Sequence, residues 1–435
     1  MRAARLLAEI ESAGTRRPAI AAWSLYTSES RRLILGIKDR ETGNPHAPLT
    51  LAESVSLRYL LVWQDGRVSR GYLESDQFDG DPAGALDRAW AAAYDDPDAA
   101  HVAGPAELPD VATHDAGAAA VAGGDTVLFA ERLADARDRM ANSGVRTWSG
   151  SFSATEAESQ LVTSAGFEAR GRGTSIGWHL SLDGRIGDGY SSRAAETRVE
   201  YARRLERLLS LVAELRRDGR PMKAGTHPVL LHPRVVEEYV IDTLLSNLQG
   251  AAVAQRSGAF SPEQFGGSAA VFREDLGLRV NPLVPMRQGS YRFSSEGVPA
   301  RAMSFIEGGR LLTPVLDLKY ARRLGRSPTA VPVAADTLHF DGPPPVELER
   351  GLDLAAGGAL VLSVLRVHTQ DSTSGDFSLS APQVLAVENG CFAGKLRATI
   401  SGNLFEMLRR EDLVWVSFPG EDTPGILYRG RIDPS

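Results

Sequence analysis

Cysteine is almost missing from this chain: Cys391 is the single one in 435 residues. That excludes an internal disulfide framework and fits a reducing compartment. Long apolar runs are missing too. Ala359-Leu360-Val361-Leu362-Ser363-Val364-Leu365 is a core-strand length, well short of the ~20 residues a membrane helix needs. An excess of positive charge is also missing. The 48 Lys and Arg are outnumbered by 55 Asp and Glu, for a net charge of −7, so no global basic field draws the chain to nucleic acid or anionic lipid. The pairs Arg203-Arg204, Arg216-Arg217 and Arg322-Arg323 lie in or beside helical patterns and read as solvated faces. Met1 to Ile10 is amphipathic and lacks the apolar region and cleavage site of a signal peptide. The expectation is a cytoplasmic protein with no membrane partner.

What is present suits an ordinary globular protein. Hydrophobic residues at 43% and charged ones at 24% of 435 residues suffice for two or three domains with large cores. Residues 1–12 read as a helix, and Ile20 to Lys38 as strand. Ser54 to Glu74 reads as a hairpin turning at Gln64-Asp65-Gly66-Arg67. Asp81 to Tyr94 reads as an alanine-rich helix, and Asp95 to His114 as a Pro- and Asp-rich connection. Thr126 to Asn142 reads as a short strand followed by a helix. Ala169 to Asp188 returns to strands, with Leu182-Asp183-Gly184-Arg185 as a turn.

The most regular helix is predicted over Ala194 to Arg217. Ala202, Leu205, Leu208, Leu209, Val212 and Leu215 recur at helical spacing, with Gly219 as the stop. Arg220 to Thr226 then reads as a link between domains. Pro228 to His232 follows as a strand. A helix begins at Pro233 with the apolar stripe Val235, Val236, Tyr239, Val240, Leu244 and Leu248, and stops at Gly250. Beyond it, alternating apolar runs are punctuated by Gly and Pro, which predicts mostly antiparallel β structure. The fold class is therefore α+β. An N-terminal domain of hairpins and helices (1–225) precedes a mostly antiparallel β domain with a few helices (226–435).

Two stretches of the second half carry a resemblance. Phe293-Ser294-Ser295-Glu296-Gly297-Val298-Pro299 is a compact turn between extended segments. It is followed by Ile306-Glu307-Gly308-Gly309-Arg310-Leu311, a hairpin turn, and by Ala321-Arg322-Arg323-Leu324-Gly325. Further on come Ser374-Gly375-Asp376-Phe377-Ser378, Val387-Glu388-Asn389-Gly390 and Ile400-Ser401-Gly402-Asn403-Leu404. In this order and spacing the series resembles the C-terminal domain of the TldD/PmbA family, over about residues 225–435, with a weaker echo at Gly166-Phe167-Glu168. The family comprises a zinc metallopeptidase subunit, TldD, and a partner lacking the metal motif, PmbA or TldE. The resemblance implies a TldD-like partner and unfolded or short peptide substrates, such as ribosomal-precursor peptides or antitoxins. It also implies a substrate channel near Phe293, Ser294, Ser295, Glu296 and Gly297 and near Ser374, Gly375, Asp376 and Phe377.

One departure decides between the branches. TldD-like chains carry His-Glu-x-x-x-His on the helix that here begins at Pro233. Its imidazoles are neutral nitrogen ligands for zinc, and its glutamate takes a proton from metal-bound water. Here the helix reads VVEEYVIDTLLSNLQG. Glu237, Glu238 and Asp242 are present, without histidine, and read as a solvated face opposite the apolar stripe. A catalytic zinc is therefore not expected in this chain but in its partner, which places the chain in the PmbA/TldE branch. The alternative is a stand-alone binding protein or a peptidase with a non-standard site.

Other constellations carry less. His227 and His232 share the five-residue separation of the missing motif, but lie along a predicted strand, where an odd separation points to opposite faces. Cys391 with His339 or His368 could ligate a metal if folding brought them together; a half-buried thiol is the plainer reading. Gly173-Thr174-Ser175-Ile176-Gly177 has the spacing of a nucleophile elbow but continues as strand. Gly390 to Lys395 is one residue short of a phosphate loop and ends in Leu396 instead of Ser or Thr. Asp275, Glu296, Asp371 and Asp376 show no spacing that demands a cation.

Overall fold

A computed structural model describes residues 19–38, 41–42, 49–74, 81–219, 222–329, 335–365 and 371–434. The helix expected over residues 1–12 lies outside them, as does His368.

The first half is built on long antiparallel strands: β1 (Ile20–Lys38), β2 (Glu41–Thr42), β3 (Thr50–Trp63), β4 (Val68–Glu74), β5 (Trp148–Thr163), β6 (Glu168–Leu182) and β7 (Ile186–Ser192). Their order is β4-β3-β1-β5-β6-β7, with β2 on β1. Both expected turns close hairpins, at residues 64–67 and 183–185. Gly66 at φ +87° and Gly184 at φ +59° take the left-handed backbone those turns require. Gly173 to Gly177 lies inside β6, so its serine is on an uninterrupted strand.

Among the described residues, four helices flank this sheet: α1 (Pro82–Ala91), α2 (Ala116–Ala122), α3 (Val127–Ser143) and α4 (Arg198–Arg216). The short strand expected after Thr126 does not form. Val127, Leu128 and Phe129 open α3 directly, and Phe129 is buried as part of its apolar stripe. Helix α4 starts with a reciprocal capping box between Thr197 and Glu200. It buries Tyr201, Leu205, Leu208, Val212 and Leu215. Gly219 is not its cap: the helix ends at Arg216, and the Gly219 N–H donates to the Lys395 carbonyl at 2.9 Å.

In the second half, β8 (Gly225–Leu231), β14 (Gly358–Leu365), β15 (Asp376–Glu388), β16 (Cys391–Asn403) and β18 (Gly425–Pro434) close a ring, since β18 pairs with both β16 and β8. Closure removes the free edges that antiparallel sheets otherwise expose. β13 (Val346–Glu347) and β17 (Val414–Ser417) extend it beside β18, and β9 (Gly277–Val280), β10 (Met303–Glu307), β11 (Arg310–Leu311) and β12 (Leu338–Asp341) form a separate small sheet. Among the described strands two pairings are parallel, β14 with β8 and β13 with β17, and the others are antiparallel. The helix over residues 233–248 follows β8 and contains a π turn at Val236–Ile241. Gly250 does not end the helical run, as expected from sequence, but opens a further helix, α5 (Gly250–Gln255). A Cβ on Gly250 would stand 2.6 Å from the Tyr320 Cβ, so the glycine is a packing residue.

Alternation along β8 separates two cores. Val229 and Leu231 join Tyr239, Val240 and Leu244 of the 233–248 helix in one apolar cluster. Leu230 points the other way, into a cluster that combines Leu360, Leu385 and Leu427 with Leu205, Leu208 and Val212 of α4 and Phe152 of β5. Helix α4 thus stands between the long-stranded sheet and the ring.

Candidate functional site

Along the seam between α4 and the ring lies a cavity of about 720 Å³. Stretches distant in sequence line it, among them residues 178–191 at the end of the long-stranded sheet, 207–211 of α4, 232–238, and the 418–421 loop. Strand β7 is the last strand of its sheet, and its Gly187 to Ser191 all contribute. The floor is apolar, with Leu208, Leu211, Leu360, Leu362, Phe392 and Phe418. Volume and lining are those of a small-molecule or side-chain pocket.

The polar groups converge at the start of the 233–248 helix. His232 is its N-cap, accepting the Arg234 N–H on Nδ1 at 3.2 Å, while its ring meets Phe418 edge-on at 4.9 Å. Accepting on Nδ1 places the proton of the neutral ring on Nε2. Burial, with Arg234 and Arg207 nearby, pushes the imidazole down to about 3, so the ring stays neutral at physiological pH. Glu237 accepts from the Thr423 hydroxyl at 2.6 Å. Burial raises its carboxyl above the usual range, and the Thr423 bond offsets part of that. Glu421 is pushed up to about 7, first by burial and then by Asp188, against the pull of Arg207 at 3.9 Å. His179 is shifted down, chiefly by burial. Arg234 is held by Glu238 at 3.2 Å and by the Gly187 carbonyl at 2.5 Å.

This overturns one reading from sequence. Glu238 is exposed, as a solvated face predicts, but Glu237 is half-buried and turned to Thr423. The 418–424 loop comes down on that side of the helix and encloses it.

The two stretches singled out from sequence go to separate places. Phe293 is buried against Phe167, with ring centres 6.0 Å apart, in a cluster with Leu161 and Ala169. The Ser294 Oγ accepts from the Glu296 and Val298 N–H groups at 3.2 Å each, which makes the turn compact. Ser295 and Glu296 line a smaller cavity of about 210 Å³ with Arg58, Arg70 and His101. Glu296 takes Arg70 at 3.2 Å and the Leu318 N–H at 2.9 Å. Gly297, at φ +85°, has Ala103 close enough that a Cβ would stand 2.6 Å from it. Phe377, by contrast, is buried against Tyr239, 5.5 Å between centres. Ser374 Oγ meets Asp376 at 2.9 Å, Gly375 adopts φ +82° beside Phe405, and Asn247 holds the Ser372 carbonyl at 2.8 Å.

The remaining candidates are dispersed. The His227 Nε2–H donates to the Lys223 carbonyl at 2.8 Å; the residue lies on β8, whereas His232 caps the helix that follows. His339 is exposed on β12. Cys391 is exposed, not half-buried, because it follows the Asn389-Gly390 turn of the β15–β16 hairpin. Asp275 pairs with Arg273 and Glu296 with Arg70, while Asp371 and Asp376 share the 371–376 loop.

Residues 224–418 match the family model for the PmbA/TldA metallopeptidase C-terminal domain. The fold is similar over 99% of this chain to crystal structures of TldE from Thermococcus kodakarensis (TM-score 0.79, 17% identity, 100% of that chain) and of a protein from Bacteroides thetaiotaomicron described as a candidate modulator of DNA gyrase (TM-score 0.77, 18% identity, 98% of that chain). Residues 224–418 belong to the TldD/PmbA family. Among curated proteins, a metalloprotease of a Synechocystis strain is 28% identical over 152 residues, a match spanning 32% of each chain. Against this TldD/PmbA background, the donors on the 233–248 helix do not fit zinc. Its side chains offer carboxylates but no imidazole, and no group of three or more His, Cys, Asp or Glu among the described residues is arranged to hold a metal ion. No helix among the described residues is long and apolar enough to cross a membrane.

Sequence reasoning passed over Glu421, Thr423, His179 and Asp188. The turn-rich Phe418-Pro419-Gly420-Glu421-Asp422-Thr423-Pro424-Gly425 was the one available signal for the first pair. Its left-handed Gly420, at φ +76°, brings the backbone against the Arg207 guanidinium, a long-range contact that no local pattern announces.

Proposed function

We propose that this chain is the non-catalytic subunit of a TldD/TldE-type heterodimeric zinc metallopeptidase acting on unfolded or short peptides. The carrying observation is the donor chemistry of the 233–248 helix. At the place where TldD-like chains bear His-Glu-x-x-x-His, it presents Glu237, Glu238 and Asp242, with Glu237 tied to Thr423. Without imidazole ligands there is no water activated by zinc in this chain. The TldD-like partner supplies that chemistry, and this chain completes the substrate channel, for which the turns at Phe293–Gly297 and Ser374–Phe377 are the proposed walls. A cytoplasmic location accords with the exposed, unpaired Cys391.

The test is reconstitution. The purified chain alone leaves an unstructured peptide intact at any zinc concentration and retains no stoichiometric zinc after dialysis. Mixed with its cognate His-Glu-x-x-x-His subunit, it forms a lasting complex and the peptide is cut. Hydrolysis by this chain alone that chelators do not suppress, or partner activity indifferent to its addition, overturns the proposal. The 720 Å³ cavity favours a second reading, a stand-alone binding protein; a chain that binds ligand but no such partner would establish it.

The proposal also retains a division near residue 225. Limited proteolysis is expected to cut first between Gly219 and Thr226 and to leave a stable C-terminal fragment. A first cut inside Leu276–Gly325 with that link intact rejects the division.

A further inference from the structure

The cavity between α4, β7 and the 233–248 helix holds a polar arrangement that the proposed peptidase role does not use. Its carboxyls outnumber its cations: Asp188, Glu237, Glu238 and Glu421 face Arg207 and Arg234, with His179 and His232 neutral. Arg234 is occupied by Glu238 and the Gly187 carbonyl. Arg207 reaches Glu421 only at 3.9 Å, beyond hydrogen-bond distance. Among the described residues nothing donates a hydrogen bond to the Glu421 carboxyl, and Thr423 occupies one oxygen of Glu237. A donor-rich cation therefore has open acceptors here.

A second observation comes from His232. Its ring is half-buried and lines the cavity, with Nδ1 occupied by the Arg234 N–H. Its Nε2–H meets no partner among the described residues. The Nε2–H is therefore open to the cavity, where an acceptor on a ligand can pair with it. The ligand then needs three features: an ammonium for Glu421 and Glu237, an acceptor oxygen for His232 Nε2–H, and an apolar body for the floor of Leu208, Leu211, Leu360, Leu362 and Phe392.

We propose that this cavity binds an α-amino group with its neighbouring carbonyl oxygen and an apolar side chain. That chemistry is shared by the amino end of a peptide and by a free apolar amino acid. The site belongs to this chain alone and needs no partner subunit, so its failure would leave the subunit proposal standing.

The pH dependence supports the assignment. Glu421, raised to about 7 by burial and Asp188, with Glu237 adding to the rise and Arg207 and Arg204 opposing it, becomes a carboxylate only as pH passes that value. A peptide α-ammonium loses its proton near pH ~8. Binding is therefore strongest between the two and weakens on either side.

Calorimetric titration of the intact chain with L-phenylalaninamide near pH ~7.5 tests this. One saturable site is expected, about 10-fold weaker for N-acetyl-L-phenylalaninamide, which lacks the cation, and about 10-fold weaker in Glu421→Gln. Glutamine is isosteric and removes no packing, and a native-like thermal transition of the variant confirms folding. The wild-type pH profile is a check that needs no variant. Tighter binding of the amide than of free L-phenylalanine assigns the pocket to peptide ends, and the reverse to amino acids; either supports the inference. No saturation up to about 10 mM, equal binding of the acetylated compound, or an affinity unchanged between pH ~5 and ~7.5 overturns it.

Discussion

Replacing Asp183 by alanine is expected to destabilise the fold by about 3 kcal/mol. The side chain is 5% exposed and gathers three pieces of the chain. Oδ1 accepts from the Arg146 and Thr147 N–H groups at 2.9 and 3.0 Å, after α3, and Oδ2 accepts from Arg216 in the last turn of α4 at 3.0 and 2.5 Å. Removal would leave the Arg146 and Thr147 N–H groups without that acceptor and the half-buried Arg216 without its carboxylate, which is the costly way to break such a pair. The backbone adds to the loss. Asp183 sits at φ +51°, where a short polar side chain is tolerated better than alanine. Asp183→Asn keeps one acceptor oxygen and is expected to fall between wild type and Asp183→Ala in urea melts.

Acid sensitivity has a definite sign. Burial pushes the Asp183 carboxyl up, but the Thr147 and Arg146 N–H groups and Arg216 outweigh it and hold the carboxyl below its usual value. A folded value below the unfolded one adds stability above the unfolded pKa of about 4, lost as pH falls through the folded value. Asp183→Ala should therefore lose less stability than wild type on acidification below pH ~4. A variant within about 0.5 kcal/mol of wild type at neutral pH would refute the assignment. The effect reaches the cavity, because this carboxylate ties the turn that leads into β7 to the last turn of α4, and β7 and α4 form two of the cavity's walls.

Tyr201→Ala is the second large effect, at about 3–5 kcal/mol. Tyr201 is fully buried in the cluster that spans α4, the long sheet and the ring. Its ring meets Trp178 edge-on at 5.3 Å and Phe152 at 6.4 Å, under the Arg132 guanidinium at 4.8 Å. Its hydroxyl donates to the Arg132 carbonyl at 3.0 Å. Alanine leaves a cavity under Trp178, itself part of the pocket wall. Tyr201→Phe removes only the hydroxyl bond and should cost about 1 kcal/mol. Chemical denaturation of the three proteins separates these terms; equal costs for Ala and Phe would show that the ring is not a packing element.

Much of the local architecture could be read in advance. Helix α4 announced itself because its apolar residues recur at 3.6-residue spacing and its face is buried on one side. The turns at Gln64–Arg67 and Leu182–Arg185 were legible because their residues accept left-handed backbone. Strand β5 was not. Gly150-Ser151-Phe152-Ser153-Ala154-Thr155-Glu156-Ala157 buries small residues beside one phenylalanine, a weak period-two signal that becomes a strand because β1 and β6 hold both its edges. Similarly, Phe293 and Phe377 belong to recognisable turns, yet which cluster each enters depends on partners elsewhere in the chain.

By itself, the sequence determined the α+β class, the run of hairpins, the absence of imidazole from the helix after Pro233 and, through the ordered motifs of its second half, the family. Those features depend on residue type and short spacing, which a linear chain carries in full. Only the tertiary structure decided that Glu237 is enclosed and that His232 lies in a cavity. It also brought Asp188 and Glu421, residues of separate turn-rich segments, to that same cavity. The reason is physical: burial and electrostatic environment arise from which distant segments pack together. Ring closure by β18 and the approach of the 418–424 loop to α4 set both.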